Sequence, residues 1–438
     1  MTTVTTLTAA TRRTTWSLSY TSLSLVLIVD QLLLPMFHFG SVSFKISYLI
    51  LGFWLVHWLL NSSYICSGLK DIRRVFVTFS VIILCILLGE LWLATKYNIV
   101  SYYDTIKNII TFIFATFAFG LGRSSRRFRI EWLIHVLYAA ISLNLIFIVF
   151  KNDLPSWIIN FYYPVQATSD AVGFQSVEEI IALVRPRGLF GNPNASMLMV
   201  NVIALAVCLA LRKKVLVIRS LTSAAALIIL PVILAALLAS RGEFVVACAL
   251  GFLNYQALKS FYGRTLKKLL AVMAISIFAA GTIAIGSLGE SFNSNLERAF
   301  SVSQTLEKSD DTDSSIARPL NQLGFFMGRF LSSPIVGSGI SLVEAPHFSE
   351  GTQYYHNDWF YILSTSGLVG FFSLIWLLLH LLKRLGWPVI IPFVLPGLVN
   401  SFVLNVPAFI AYFGMLGILF ASINSKSIRS ANESIKQV

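Results

Sequence analysis

Five residues in the middle and later parts of the chain carry side chains suited to one kind of chemistry: Arg185, Arg187, Arg241, Arg318 and His356. A guanidinium is planar, permanently charged and matched to two phosphate oxygens at once. A histidine where a polar loop enters an apolar segment titrates near neutral pH and can take up a proton as a general base. Together they suit a site that grips a phosphate group beside a base.

Each sits in a distinctive local run. Arg185 and Arg187 belong to Arg-Pro-Arg-Gly-Leu-Phe-Gly-Asn-Pro-Asn, ending at Asn194, whose Gly, Pro and Asn force a turn. Interfacial anchoring by snorkelling arginines is the alternative for this pair. Arg241 lies in Ser240-Arg241-Gly242-Glu243 between two apolar runs, with Glu243 as a candidate ion-pair partner. Arg318 follows Asp310-Asp311-Thr312-Asp313 and opens an amphipathic stretch through Leu323, Phe326, Met327 and Phe330, suited to a membrane surface. The acidic run reads as a solvated face and not as a metal site. His356-Asn357 precedes nine residues, then Gly367 and Gly370, a small-residue face on which helices pack closely in lipid.

The elements that must hold these residues are membrane spans. Of the 438 residues, 56% are hydrophobic and only 12% charged, and mean hydropathy is +0.76, far from a soluble domain. About twelve apolar runs are each long enough to cross a hydrocarbon layer of about 30 Å. Their expected centres are Leu27, Phe53, Ile83, Phe112, Ala140, Ile203, Ile228, Ala249, Ile275, Ser373, Phe393 and Gly414. Alternate connections hold 22 of the 33 basic residues: Arg12 and Arg13; 70–74; 123–129; 212–219; 259–268; Lys383 and Arg384; and 426–436. Positive charge on alternate loops marks the cytoplasmic side. Both termini are therefore expected inside, and two long loops, 151–194 and 289–355, outside. The whole chain, 1–438, is expected to be a single integral membrane domain, all-α, with short surface helices in the outer loops. The net charge of +13 then reports topology and not nucleic-acid binding. The run after Arg12-Arg13 lacks a small-residue cleavage pattern, so the first span is expected to be retained.

Cys66, Cys85, Cys208 and Cys248 show no ligand spacing and read as small hydrophobes. Asp30 and Glu90, inside apolar runs, read as interhelical hydrogen-bonding groups.

The ordered motifs from Arg185 to Phe371, including Ser-Arg-Gly, Ala317-Arg318, Pro334 to Gly339 and His-Asn with its glycines, resemble the O-antigen ligase and polymerase superfamily. The resemblance implies a GT-C-like helical membrane enzyme of the bacterial inner membrane, with a periplasmic site and no metal or cofactor. It implies transfer of a glycan from undecaprenyl pyrophosphate to lipid A-core, as a ligase, or to a second lipid-linked repeat unit, as a polymerase. Phe371 stands where the ligase pattern has Thr or Val, so both remain open. By the same resemblance Arg241 and Arg318, joined by Arg185 and Arg187, hold the donor pyrophosphate. His356 activates the acceptor hydroxyl, and Asn357, Gly367 and Gly370 support it. A lipid-linked oligosaccharide flippase ranks lower, because that function needs charge in several spans and this chain keeps its charge at one face.

Overall fold

The structure is a computed structural model, which describes residues 20–35, 37–39, 42–60, 69–97, 102–150, 154–162, 188–189, 193–238, 240–288, 326–340, 357–395 and 402–436. It is a helical assembly with seven helices long and apolar enough to cross a membrane, and three shorter apolar ones. That is the make-up of a multi-pass membrane protein. In chain order the helices are α1 (Tyr20–Leu33), α2 (Ile46–Leu60), α3 (Leu69–Tyr97), α4 (Tyr102–Ser124), α5 (Glu131–Val149), α6 (Ser156–Tyr162), α7 (Pro193–Arg212), α8 (Leu221–Leu237) and α9 (Arg241–Leu288). A short helix α10 (326–332) follows, then α11 (Asp358–Leu385), α12 (Ile391–Val394) and α13 (Val406–Lys436). Among the described residues the only strands are β1 (Phe37–Phe39) and β2 (Val42–Phe44), an antiparallel hairpin.

Every expected span centre except Phe393 falls on a helix of at least 14 residues. Ala249 and Ile275 share α9, whose 48 residues would measure about 72 Å, more than twice a hydrocarbon layer. Gly263, at φ +53°, breaks α9 within its basic segment, where the charge pattern calls for a turn. Phe393 corrects the expectation. Gly386, Pro388 and Pro392 divide that stretch into a 3₁₀ turn (Trp387–Ile390) and the four-residue α12, so it is no continuous span among the described residues.

The packing separates central from peripheral helices. In α7 and α13 most of the apolar window is buried, 89% and 83%, against 39% for α5 and α9. The less buried helices present Leu, Val and Phe outward, as lipid-facing surfaces do. The tightest pairing is α4 with α13. Gly122 meets the Gly414 carbonyl and Gly417 the Phe119 carbonyl so closely that an added methyl would sit 2.2 Å away. Small residues of this kind let backbones touch in an apolar medium. Phe79, Phe112, Phe409 and Phe413 form an aromatic cluster beside that contact, its ring pairs edge-to-face or tilted. Cys85 and Cys208 are buried free thiols in this packing and Cys248 is exposed; Cys66 lies outside the described residues.

Of the two acids expected to bond between helices, Asp30 does so, whereas Glu90 bonds to a non-helical segment. Asp30, in α1, accepts from the Ser47 amide of α2 at 2.9 Å. Lys45, almost fully buried, sends its ammonium to the Asp30, Gln31 and Leu34 carbonyls. These are the carbonyls an α1 end leaves without partners, so Lys45 caps that helix from the next element. The role of Glu90 belongs to the site.

Candidate functional site

A broken helix organises the part of the chain that follows the second long loop. Asn357 is the N-cap of α11, its side-chain oxygen accepting from the Trp359 and Phe360 amides at 2.9 and 3.1 Å. Asp358, buried, accepts from the Phe402 and Val403 amides at 2.9 and 3.0 Å, which ties the start of α11 to the turn before α13. Tyr361 donates to Asn108 of α4 at 2.8 Å. The first turn of α11 is thus fixed from three directions, and so is the point where the loop ending in His356 enters the bundle.

About 14 Å further along, at 1.5 Å per residue, the helix breaks. Gly367 has φ +63° and ψ −167°, a conformation essentially reserved for glycine. In an unbroken helix the Ser364 and Thr365 carbonyls would pair with the Leu368 and Val369 amides. Instead the segment 334–340 slides between them. Ser338 N donates to Ser364 O at 2.9 Å and Gly339 N to Thr365 O at 3.2 Å; Leu368 N donates to Pro334 O at 2.9 Å and Val369 N to Ile335 O at 3.1 Å. All four groups regain partners, the condition for irregular backbone within apolar surroundings.

This strap is secured on its other side by α3. Glu90 Oε1 accepts from the Ile340 amide, and Gly89 approaches Gly339 so closely that a β-carbon there would lie 2.2 Å from its nitrogen. Arg329, in α10, donates to the Ser338 hydroxyl at 3.0 Å and to the Gly339 carbonyl at 2.8 Å. Gly367 therefore acts as a helix breaker, which differs from the packing face expected of it. At Gly370 an added β-carbon would lie 2.1 Å from Ser366 Oγ of the same helix and at an ordinary contact distance of 3.7 Å from Ile82 of α3.

The first loop and the Arg241 motif also come together. Leu189 N donates to Asn144 of α5 at 2.8 Å, so the Gly188-Leu189 turn is buried within the bundle. Ser240 Oγ donates to Asn194 Oδ1 at 2.7 Å, joining the last residue of one motif to the first of the other. Ser240 also accepts from Phe244 N through its carbonyl, opening α9 at Arg241. Glu243 is fully buried, and among the described residues it accepts from Asn201 of α7 at 2.7 Å. The expected Arg241 partnership is not among those contacts, since the Arg241 side chain lies outside what is described.

Arg185, Arg187, Arg318 and His356 also lie outside the described residues. What the structure describes is the framework around them: the turn after Arg187, the helix start at Arg241, the strap, and the capped helix after His356. Sequence reasoning passed over Asp358, Arg329 and Asn201. The Ser-x-x-Glu spacing at Ser240 is a capping-box signal, yet its two side chains bond to α7 instead. Among the described residues no group of three or more His, Cys, Asp or Glu is arranged to hold a metal ion. No model of a known protein family matches the chain, nor does any curated protein.

Proposed function

We propose that the chain is a membrane glycosyltransferase of the bacterial inner membrane that moves a glycan en bloc from undecaprenyl pyrophosphate to an acceptor hydroxyl on the periplasmic side. The reading is ligase-like, with lipid A-core as acceptor, in a GT-C-like bundle of about twelve spans with cytoplasmic termini. The observation that carries it is the double anchoring of the segment ending in His356. Glu90 and the α11 break hold Ile340 at one end, and the Asn357 cap and Asp358 hold the other. A base needs a fixed position more than it needs an unusual environment. The contact between Asn194 and Ser240 lends similar support to the arginine motifs acting together.

In this mechanism the acceptor oxygen forms a bond to the anomeric carbon while the bond from that carbon to the pyrophosphate oxygen breaks. His356 takes the acceptor proton, and the configuration inverts. Arg241 and Arg318, with Arg185 and Arg187, meet the charge growing on the departing pyrophosphate. Preorganised donors aimed at developing charge contribute about 3 to 4 kcal/mol each in comparable sites.

The test is a gel of products from purified protein in lipid, given lipid-linked repeat units with and without lipid A-core, in the presence of a chelator. One shifted species that requires lipid A-core supports the ligase reading. A ladder from donor alone makes the chain a polymerase. No transfer under either condition, or transfer only before chelation, overturns the proposal.

A further inference from the structure

A buried acid stands two residues from Arg241, and its hydrogen bonds are incomplete. Glu243, in the first turn of α9, is 0% exposed, and Asn201 of α7 is 2% exposed. The Asn201 amide nitrogen donates to Glu243 Oε2 at 2.7 Å and to the Glu243 backbone carbonyl at 3.0 Å. Those two acceptors fix which way the amide points. The remaining oxygens of the same two groups, Glu243 Oε1 and Asn201 Oδ1, are buried without a hydrogen-bond partner.

A charged carboxylate does not account for this pattern. Buried, it needs several donors or a counter-ion, and among the described residues the Glu243 carboxyl has a single donor, Asn201. The first-turn amides of a helix are the usual partners of an acid placed three residues after the cap, yet this carboxyl turns to α7. A carboxylic acid beside a primary amide behaves differently. The amide N–H donates to one carboxyl oxygen, and the acid O–H donates to the amide carbonyl. The first of these bonds is present, and the two atoms that the second would join are the two left over. One proton supplies a partner to both.

We infer that Glu243 is held as a neutral carboxylic acid that shares its proton with Asn201, so that the acid nearest Arg241 in sequence carries no charge to compete with a phosphate ligand. The second half rests on the role proposed above for Arg241 in holding the donor pyrophosphate. Glu243 is then a positioning residue. With Ser240, which bonds to Asn194, it fastens the start of α9 to α7 and brings no negative charge to an anion site.

Infrared difference spectra of the full-length protein in detergent at neutral pH, native minus Glu243→Gln, read the charge state directly. A carboxylic acid carbonyl band is expected from the native protein, and a carboxylate band in its place overturns the inference. Glu243→Gln supplies an N–H where the acid has its O–H, so its Tm is expected to match the native value, whereas Glu243→Ala strands Asn201 and lowers it. A Gln variant as unstable as the Ala variant also overturns the inference. Inorganic pyrophosphate, titrated by thermal shift, is expected to bind native and Glu243→Gln protein with the same Kd and Arg241→Gln about ten-fold more weakly, the loss of one charge-assisted hydrogen bond. Tighter binding by Glu243→Gln than by native protein shows a charged Glu243 competing with the ligand and overturns the neutral acid. Equal binding by native and Arg241→Gln protein overturns the donor role of Arg241 and the reading it belongs to, while an acid band from the same samples upholds the neutral Glu243.

Discussion

Gly367→Ala strikes the feature on which the framework of the site depends, and its cost is calculable by two routes. If the break persists, alanine must adopt a backbone conformation that costs about 1 to 3 kcal/mol, and its methyl would lie 2.4 Å from Gly337 N and the Ile335 carbonyl, adding a collision with backbone. If instead α11 straightens, two helical hydrogen bonds return, but four strap groups, on Pro334, Ile335, Ser338 and Gly339, lose theirs. At about 1 kcal/mol or more for each group left unpaired, less about 1 kcal/mol gained from alanine in place of glycine, the loss is about 3 kcal/mol. Either route is costly. For a chain of this length that is a fall in Tm of about 3 to 6 °C, since unfolding entropy grows with size. Thermal unfolding in detergent measures it, and the transfer assay on the same preparation reads whether the strap matters to activity. Gly52→Ala is the control, because nothing lies within 4 Å of its added methyl. A Gly367→Ala protein with native Tm and native transfer would refute the role given to the break.

Glu90→Ala leaves the buried Ile340 amide without its acceptor and is expected to lower stability by about 1 to 3 kcal/mol, whereas Glu90→Gln keeps an acceptor oxygen and restores most of it; equal effects in thermal unfolding would contradict the assignment. His356→Ala is expected to lower turnover about 100-fold or more with little change in Tm, and near-native transfer would remove the general-base role. Burial pushes the Lys45 ammonium down to about 8, against a weaker upward pull from the Asp30 carboxylate. The unfolded chain therefore binds more protons between pH 8 and about 10.5, and stability attributable to this residue rises with pH across that window. The rise amounts to roughly 3 kcal/mol at most. Lys45→Met removes that slope, so the difference in Tm between native and variant should change between pH 7.5 and 9.5; a constant difference would show that Lys45 is not held in this state.

Hydropathy and alternating charge made most of the bundle legible, and the packing agrees in a way composition cannot arrange by accident. Arg123 and Arg384 meet the Asp71 carboxylate and Arg74 the His380 ring, so three separate basic segments converge at one end of the bundle, while the strap and the α11 cap gather at the other part. The expected span at Phe393 went astray because hydropathy averages over Pro388 and Pro392, which remove helix donors while leaving the run apolar. The break at Gly367 was hidden for the converse reason. A pair of glycines in an apolar run, Gly367 and Gly370, reads as a packing surface, and the meaning of the first depends on a segment earlier in the chain.

Two local signals stood on either side of that break. Ser364, Thr365 and Ser366 interrupt an otherwise apolar helix, and their hydroxyls bond back to the Tyr361 and Ile362 carbonyls, a habit that bends helices. Pro334, Gly337 and Gly339 mark a segment unable to form a helix of its own. Neither signal is specific alone. Together they describe one structure, since a helix opened at Gly367 exposes two carbonyls and two amides that only an extended, side-chain-poor segment can reach. The order of the motifs thus has a physical reason. The strap and the break that receives it flank the segment ending in His356, so closing the one on the other brings both ends of that segment to the same helix.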